Sequence, residues 1–280
     1  MTDGTGLTEF SEKFEDRFFD VGIAEGHAVT FASGLAIGGQ RPIVAIYSSF
    51  MQRAVDSVMH DVVLQDLPVI FCMDRAGLVG KDGATHHGIF DFAFITMLPK
   101  VIVCAPKDGN ELRNMLNMAY DIKDQAIFIR YPRENTCHFD MQKQVTKILP
   151  GSWEILKKGK RIALLAVGAM VDTAYEVEAK LKKKDIDLTL VNARFIKPYD
   201  KALLDKIAKD HDIIVTLEEA GPRGGLRDTV LEHFQSSDKS PMIHSINLPD
   251  AFVTHGEREE LMKDIHLTVG DIVKRIESIS

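Results

Sequence analysis

The sequence predicts an α/β protein of two domains, each a mostly parallel sheet flanked by helices. Three observations carry this expectation. The chain has 280 residues, room for about two domains with cores of their own. Short β-branched or aromatic runs alternate with segments of helical period along most of its length. A largely polar stretch with a Pro-Gly break, residues 138–160, divides that alternation in two and is expected to be a linker.

The first domain is expected over residues 1–137. Its strand candidates are Phe18–Val21, Pro42–Tyr47, Leu67–Asp74, Val101–Ala105 and Ala126–Tyr131. Helical periods near 24–37, 50–63 and 109–122 lie between them, and strands joined by helices run parallel. The helix near 50–63 gathers Phe50, Ala54, Val55, Val58, Met59 and Val62 on one stripe. The helix near 24–37 carries Ala24, Ala28, Ala32 and Ala36 at a four-residue spacing, so one ridge of it is very thin. Two readings stay open for that ridge: packing on its own sheet, or close approach to another helix at a subunit interface. The second domain, residues 161–280, repeats the alternation. Its strands are expected at Ile162–Val167, Asp187–Asn192, Asp212–Leu217 and Met242–Ile246, with helices near 171–183, 201–209, 225–234 and 270–279.

Composition excludes several classes of function. Apolar residues make up 45% and charged residues 27% of the chain, an ordinary globular balance that argues against disorder. With 34 Lys and Arg against 41 Asp and Glu, the net charge is −7, so no global positive field collects nucleic acid or anionic lipid. The apolar runs 42–47 and 67–73 fall far short of the ~20 residues a membrane span needs, and the N-terminus has no basic-then-apolar signal. A cytoplasmic protein without membrane or nucleic-acid partners is expected. Cys72, Cys104 and Cys137 show no CxxC or Cys/His ligand spacing and read as small buried hydrophobes; no metal ligand set is expected on this chain.

Ligands of open parallel sheets bind beyond the carboxyl ends of the strands, so the residues just past each strand are the candidates for chemistry. After the first comes 20-DVGIAEGH-27, with Glu25. After the second comes 47-YSSFMQR-53, with Tyr47, Phe50 and Arg53. The third leads into 74-DRAGLVGKDGATHHG-88, which holds Arg75, Asp82, His86 and His87, and the last into 130-RYPRE-134, with Arg133. One rim thus collects a carboxylate, two aromatics, arginines and a His pair. Each has a plainer role available: Glu25 as a first-turn helix carboxylate, Phe50 as a core aromatic, Arg75 and Arg133 as ion-pair partners, His86 as a loop hydrogen-bonder. The glycine-rich loop matches neither GxxxxGK[ST] nor GxGxxG, and 221-GPRGG-225 reads as a turn.

The stretches RFFDVGIAEGHAVTFASGLA, PIVAIYSSFMQRAVDSVMHDV, LPVIFCMDRAGLVGKDGATHHGIFD and IRYPRE, with VNARFIKPYDKALL and INLPDAFVTHGEREEL further on, resemble the 1-deoxy-D-xylulose-5-phosphate synthase family. That family belongs to the transketolase-like thiamine diphosphate enzymes, and the resemblance spans nearly the whole chain. It implies a transketolase-like pyrimidine-binding domain followed by a transketolase C-terminal-like domain. It also implies a transferase that joins pyruvate to glyceraldehyde 3-phosphate with loss of carbon dioxide, at the head of an isoprenoid and thiamine route.

Position by position, Glu25 matches the glutamate that bonds N1′ of the cofactor's aminopyrimidine, Phe50 the aromatic stacked on that ring, and Tyr47 its neighbour at the mouth. Arg75 and Arg133 match side chains that hold the sugar phosphate, Arg53 a residue near the pyruvate-derived group, and Asp82 and His86 loop residues facing the acceptor. The chain departs from the family pattern at Gly26, His87 and Ser57, where Gln is usual, and at Val55, where Tyr is usual. The family's GDG-then-Asn signature, which binds the diphosphate through Mg2+, has no counterpart here. The resemblance therefore implies a homodimeric half of an enzyme, inactive alone, whose N-terminal diphosphate-binding half, with the Mg2+ ligands, is a separate domain or subunit. The alternatives are a split transketolase, a keto-acid dehydrogenase β-type subunit, or a non-catalytic dimeric fragment.

Overall fold

A computed structural model describes residues 2–136, 139–237 and 240–280. It contains two five-stranded sheets. In the first, β1 (Ile43–Tyr47), β2 (Ile70–Asp74), β3 (Ile102–Cys104) and β4 (Ile127–Arg130) run parallel in the order β1-β2-β4-β3. Before β8 (Phe195–Lys197) closes its far edge antiparallel to β3, the chain has already entered the second sheet. There β5 (Glu154–Lys157), β6 (Arg161–Ala166), β7 (Thr189–Asn192), β9 (His211–Leu217) and β10 (Met242–Ile246) lie in the order β10-β9-β6-β7-β5, all parallel except β5. The central strands are buried on both faces, as parallel sheets covered by helices must be, and Phe71 of β2 stacks on Phe128 of β4 with ring centroids 4.6 Å apart.

The alternating pattern holds with three corrections. Residues 18–21 form no strand. Phe19 is half exposed and packs edge-on against Phe31, so that run is a connector leading into the Glu25–Ile37 helix and not a member of the sheet. Second, β5 lies inside the stretch expected to be a linker, and the buried Trp153 beside it donates its indole N–H to the Phe195 carbonyl at 2.8 Å. Third, β8 has no signal in the alternation, and it joins the second half of the chain to the sheet of the first. Helices at Thr8–Lys13, Asp91–Thr96 and Arg258–Asp264 are further additions.

The helix that carries the alanine ridge packs against a helical run and against β1 of the same chain. Ala32 and Ala36 are buried, Ala28 and Ala24 partly so, and the Glu25–Ile37 helix lies on the helical run 52–63, which changes from 3-10 through α to π geometry. Cys72 and Cys104 are buried in β2 and β3, and burial pushes the Cys72 thiol up to about 12, as expected of packing residues; Cys137 lies outside the described residues.

The two halves are locked together by buried polar contacts. Glu111, in the first turn of the Gly109–Asp121 helix, accepts Asn192 Nδ2 at 2.9 Å and Arg194 at 3.1 Å from the second half. Within the second half, Glu218, just past β9, accepts the Leu226 and Arg227 amides at 2.8 and 2.9 Å at the start of the Leu226–Phe234 helix. A side chain at Gly225 would meet that carboxylate, so the turn needs glycine there. Burial raises the Glu218 pKa, the two amides and Arg130 pull it partly back, and it stands at about 7 against an ordinary 4.5.

A carboxyl raised in the folded state binds more protons than the unfolded chain, so its contribution to stability is full below the unfolded value and is lost as pH climbs through the folded one. Between pH 5 and 8 the wild type should lose about 2–3 kcal/mol more than Glu218→Gln, whose side chain does not titrate. Denaturant titrations of both proteins across that range check this, and parallel pH profiles would refute it.

Candidate active site at the rim of the first sheet

Parallel pairing brings the carboxyl ends of β1, β2 and β4 side by side, with Tyr47 opposite Asp74 and Met73 opposite Arg130. The expected site residues gather on this rim. Glu25 begins its helix, with Ala28 N–H already bonded to the Ala24 carbonyl, so the carboxylate sits in the first turn where the helix dipole favours it. Its side chain is only 10% exposed. Arg53, from the helical run after β1, donates Nη1 to Glu25 Oε1 at 2.9 Å and places its guanidinium 4.6 Å from the Phe50 ring centroid.

From Phe50 the contacts run on in both directions. Tyr47 stacks on it with centroids 5.3 Å apart, and His86 meets it edge-on at 5.1 Å. Behind Tyr47 lies Arg75, its guanidinium 3.7 Å from the phenol ring. Arg75 is buried. Its Nη1 donates to Asp74 and to the Gly4 carbonyl, both at 2.7 Å, while its Nε has no hydrogen-bond partner among the described residues. Burial raises the Asp74 pKa, and Arg75 acts against that rise. Arg133 reaches across to Asp82 at 2.8 Å in an exposed ion pair. His86 Nδ1 lies 2.9 Å from the Thr85 hydroxyl.

The eight expected residues do not stand on equal terms. Glu25, Tyr47, Phe50, Arg53, His86 and Arg75 form one unbroken chain of contacts, whereas Asp82 and Arg133 form a separate pair on the same loop rim. Two departures from the family pattern also adjoin each other. A Cβ built at Gly26 would lie 3.7 Å from Ser57 Oγ, so small residues face one another beside Glu25. His87, unlike His86, is buried and turned away from the rim: its Nδ1 accepts the Val79 amide and its Nε2 lies 3.0 Å from the Thr254 carbonyl.

Sequence reasoning missed the buried charges beneath the rim. Arg130 donates Nε to Asp91 at 2.6 Å and Nη2 to the carbonyls of Gly88 and Glu219 at 3.0 and 2.8 Å. Glu219 accepts the Leu78 amide at 2.7 Å and Arg258 at 2.6 Å. Their only signal in the sequence is charge inside or just after apolar strand runs.

Two parallel sheets in this order, with a first-turn carboxylate, an aromatic and a guanidinium at one rim, define a transketolase-type pair of domains. The transketolase pyrimidine-binding domain matches residues 1–138 and the transketolase C-terminal domain residues 151–272. The chain belongs to this transketolase-like family, which depends on thiamine diphosphate, and corresponds within it to the C-terminal half of 1-deoxy-D-xylulose-5-phosphate synthase. It is 45% identical to that synthase from Chlorobium phaeovibrioides over 99% of this chain and 44% of the relative. To the synthase of Pelotomaculum thermopropionicum it is 47% identical, over 99% of this chain and 43% of the relative. The chain thus spans less than half the length of the curated relatives it matches. A split-gene transketolase, solved as an inactive β4 tetramer, superposes with a TM-score of 0.87 at 28% identity, over 99% of this chain and 88% of that one. Transketolase from Campylobacter jejuni shares the fold, with a TM-score of 0.73 at 20% identity over 93% of this chain and 39% of that one. No helix among the described residues is long and apolar enough to cross a membrane.

Proposed function

We propose that this chain is the pyrimidine-side half of a 1-deoxy-D-xylulose-5-phosphate synthase. It would act as a homodimer together with a partner domain or subunit that holds the diphosphate and Mg2+ of the cofactor. The observation that carries this reading is the Arg53 guanidinium. A flat N–H donor lies over Phe50 and bonds the sheltered Glu25 carboxylate, the two contacts an aminopyrimidine ring needs. The site residues therefore fit the ring, and Arg53 must swing aside to admit it. The identities of 45–47% to synthases, against 28% to the split transketolase, favour the synthase over a transketolase half.

When bound, thiamine diphosphate supplies the nucleophilic carbon and the electron sink for decarboxylating pyruvate. The chain's own residues do the rest. Glu25 shares a proton with N1′ of the pyrimidine and so sets the protonation of the ring. Phe50 gives the ring a face, held by Tyr47 and His86 on its other contacts. His86 and Asp82 reach the acceptor from the loop, and Arg53, once released, faces the pyruvate side. Arg75 and Arg133 read the acceptor phosphate. Their forked guanidinium groups suit a dianion.

Mixed with a diphosphate-binding partner, the chain should decarboxylate pyruvate, and Glu25→Ala should lower the rate by at least about 10²–10⁴-fold. Proton exchange at the thiazolium carbon, followed by NMR, reads this step directly. Near-normal exchange in the variant would reduce Glu25 to a helix-start carboxylate.

Charge-assisted hydrogen bonds contribute about 1.5–3 kcal/mol each. Arg133→Ala or Arg75→Ala should therefore weaken use of glyceraldehyde 3-phosphate by roughly one to two orders of magnitude, with little effect on pyruvate. The same variants are compared on unphosphorylated glyceraldehyde. An equal loss on both acceptors would show that these arginines support the loop and do not read phosphate.

A further inference from the structure

Residues 75–90 connect β2 to the Asp91–Thr96 helix and carry Asp82 and His86, yet they make little regular structure of their own. Their shape comes from the second domain. Leu78 and Ile89 are buried in that domain's apolar cluster, not in the cluster beneath the first sheet. The Ile89 carbonyl accepts the Gly221 amide at 2.7 Å, and Phe90 meets Phe252 edge-on at 5.7 Å. Gly77 has a φ of +78°, and a Cβ there would lie 2.6 Å from Glu219 Oε1.

Two side chains hold the polar backbone of this loop. Glu219 accepts the Leu78 amide, and Arg258, forked onto Glu219, donates to the Leu78 carbonyl at 3.3 Å. Arg258 is itself paired with Glu134, and these carboxylates push its pKa up against the effect of burial. His87 accepts the Val79 amide at Nδ1, which requires its proton on Nε2, where it donates to the Thr254 carbonyl at 3.0 Å. One imidazole thus ties the loop's own turn to residue 254 of the second domain, immediately next to His86. His87 and Glu219 are buried, at 3% and 6% exposure. An amide left unbonded at such a place loses its water without a replacement acceptor, so the loop has strong reason to keep one shape.

We propose that Glu219, from the second domain, and His87, from within the loop and anchored to the Thr254 carbonyl of the second domain, are positioning residues: together they fix the loop that presents His86 and Asp82 to the acceptor. The catalytic consequence rests on the synthase reading; the fixing of the loop does not.

The test is amide hydrogen exchange on the full 280-residue chain, comparing wild type with His87→Ala, His87→Gln, Glu219→Ala and Lys81→Ala. Exchange of amides 77–88 should rise by about tenfold or more in His87→Ala and Glu219→Ala while β2 and β4 stay protected. His87→Gln should restore protection, because its amide offers an acceptor to Val79 and a donor to Thr254. Lys81→Ala should change nothing, since the Lys81–Glu257 pair is exposed on both sides. Loop exchange unchanged in His87→Ala and Glu219→Ala would overturn the proposal. So would an equal rise across β2 and β4, which would make these residues general supports of the fold; should His87→Ala not fold, Glu219→Ala decides. In the reconstituted complex His87→Ala should raise KM for glyceraldehyde 3-phosphate far more than it lowers pyruvate decarboxylation. Absence of turnover by the wild-type complex would count against the synthase reading alone, leaving the exchange result to stand.

Discussion

The Arg130 guanidinium is the contact on which the rest of the arrangement depends. It stands at the end of β4, 7% exposed, and is bonded to a carboxylate of one helix, to a carbonyl of the glycine-rich loop and to a carbonyl of the second domain. Asp91, its carboxylate partner, also accepts the Ser48 hydroxyl at 2.8 Å, which fixes the turn from β1 into the helical run that carries Phe50 and Arg53. The face of the guanidinium covers Phe92 at 4.4 Å. A buried cation of this kind is worth little as one pair, since desolvation offsets most of the attraction. Its value lies in geometry: it fixes three chain segments with fork-shaped donors that accept only one arrangement. Without it, Asp91 would remain as an uncompensated buried charge, a cost of about 3–5 kcal/mol concentrated beneath the rim.

The same logic separates the parts of the fold that a sequence reveals from those it hides. The strands β2, β3, β4, β6 and β9 are legible because a buried parallel strand is a continuous apolar run, and Val69 to Met73 or Ala163 to Val167 can be little else. The run Phe18–Val21 has the same residue types, but its Phe19 finds Phe31 instead of a strand partner. Composition alone cannot separate the two. β5 and β8 escape because short antiparallel edges carry no periodic signal, and the polar segment 138–160 hides Trp153, whose burial depends on the distant Phe195 carbonyl. The helical run 48–63 is legible as one apolar stripe, while its changes of pitch are not.

For the site, the residues at strand ends are legible and the charges holding them are not. Glu25, Tyr47, Phe50 and Arg75 are found by inspecting the rim positions beyond each apolar run. Glu218, Glu219 and Asp91 are not, because a buried carboxylate is tolerated only with partners that arrive from elsewhere in the chain. His87 shows the limit most sharply. Adjacent to His86 and of the same type, it faces the opposite way and serves the loop's shape, a difference only the Val79 amide and the Thr254 carbonyl reveal.

The contact between Arg53 and Glu25 bears on how a half-enzyme would bind its cofactor. A pyrimidine ring must displace a guanidinium from both Phe50 and Glu25. Arg53 is half exposed, so its guanidinium can return to water, while the sheltered Glu25 carboxylate passes from one N–H donor to another. The ring then recovers one hydrogen bond and one stacking contact, so the net gain from this chain is small. Affinity must therefore come mainly from the charged end of the cofactor, where phosphate and metal offer much stronger attractions than a neutral ring. A chain that presents Glu25 and Phe50 can orient such a molecule and set its protonation, while another domain supplies most of the grip. Of the rim, it is the loop that buried contacts hold to the second domain, through Glu219 and the Thr254 carbonyl, so the contacts that join the two halves also set where His86 stands against Phe50.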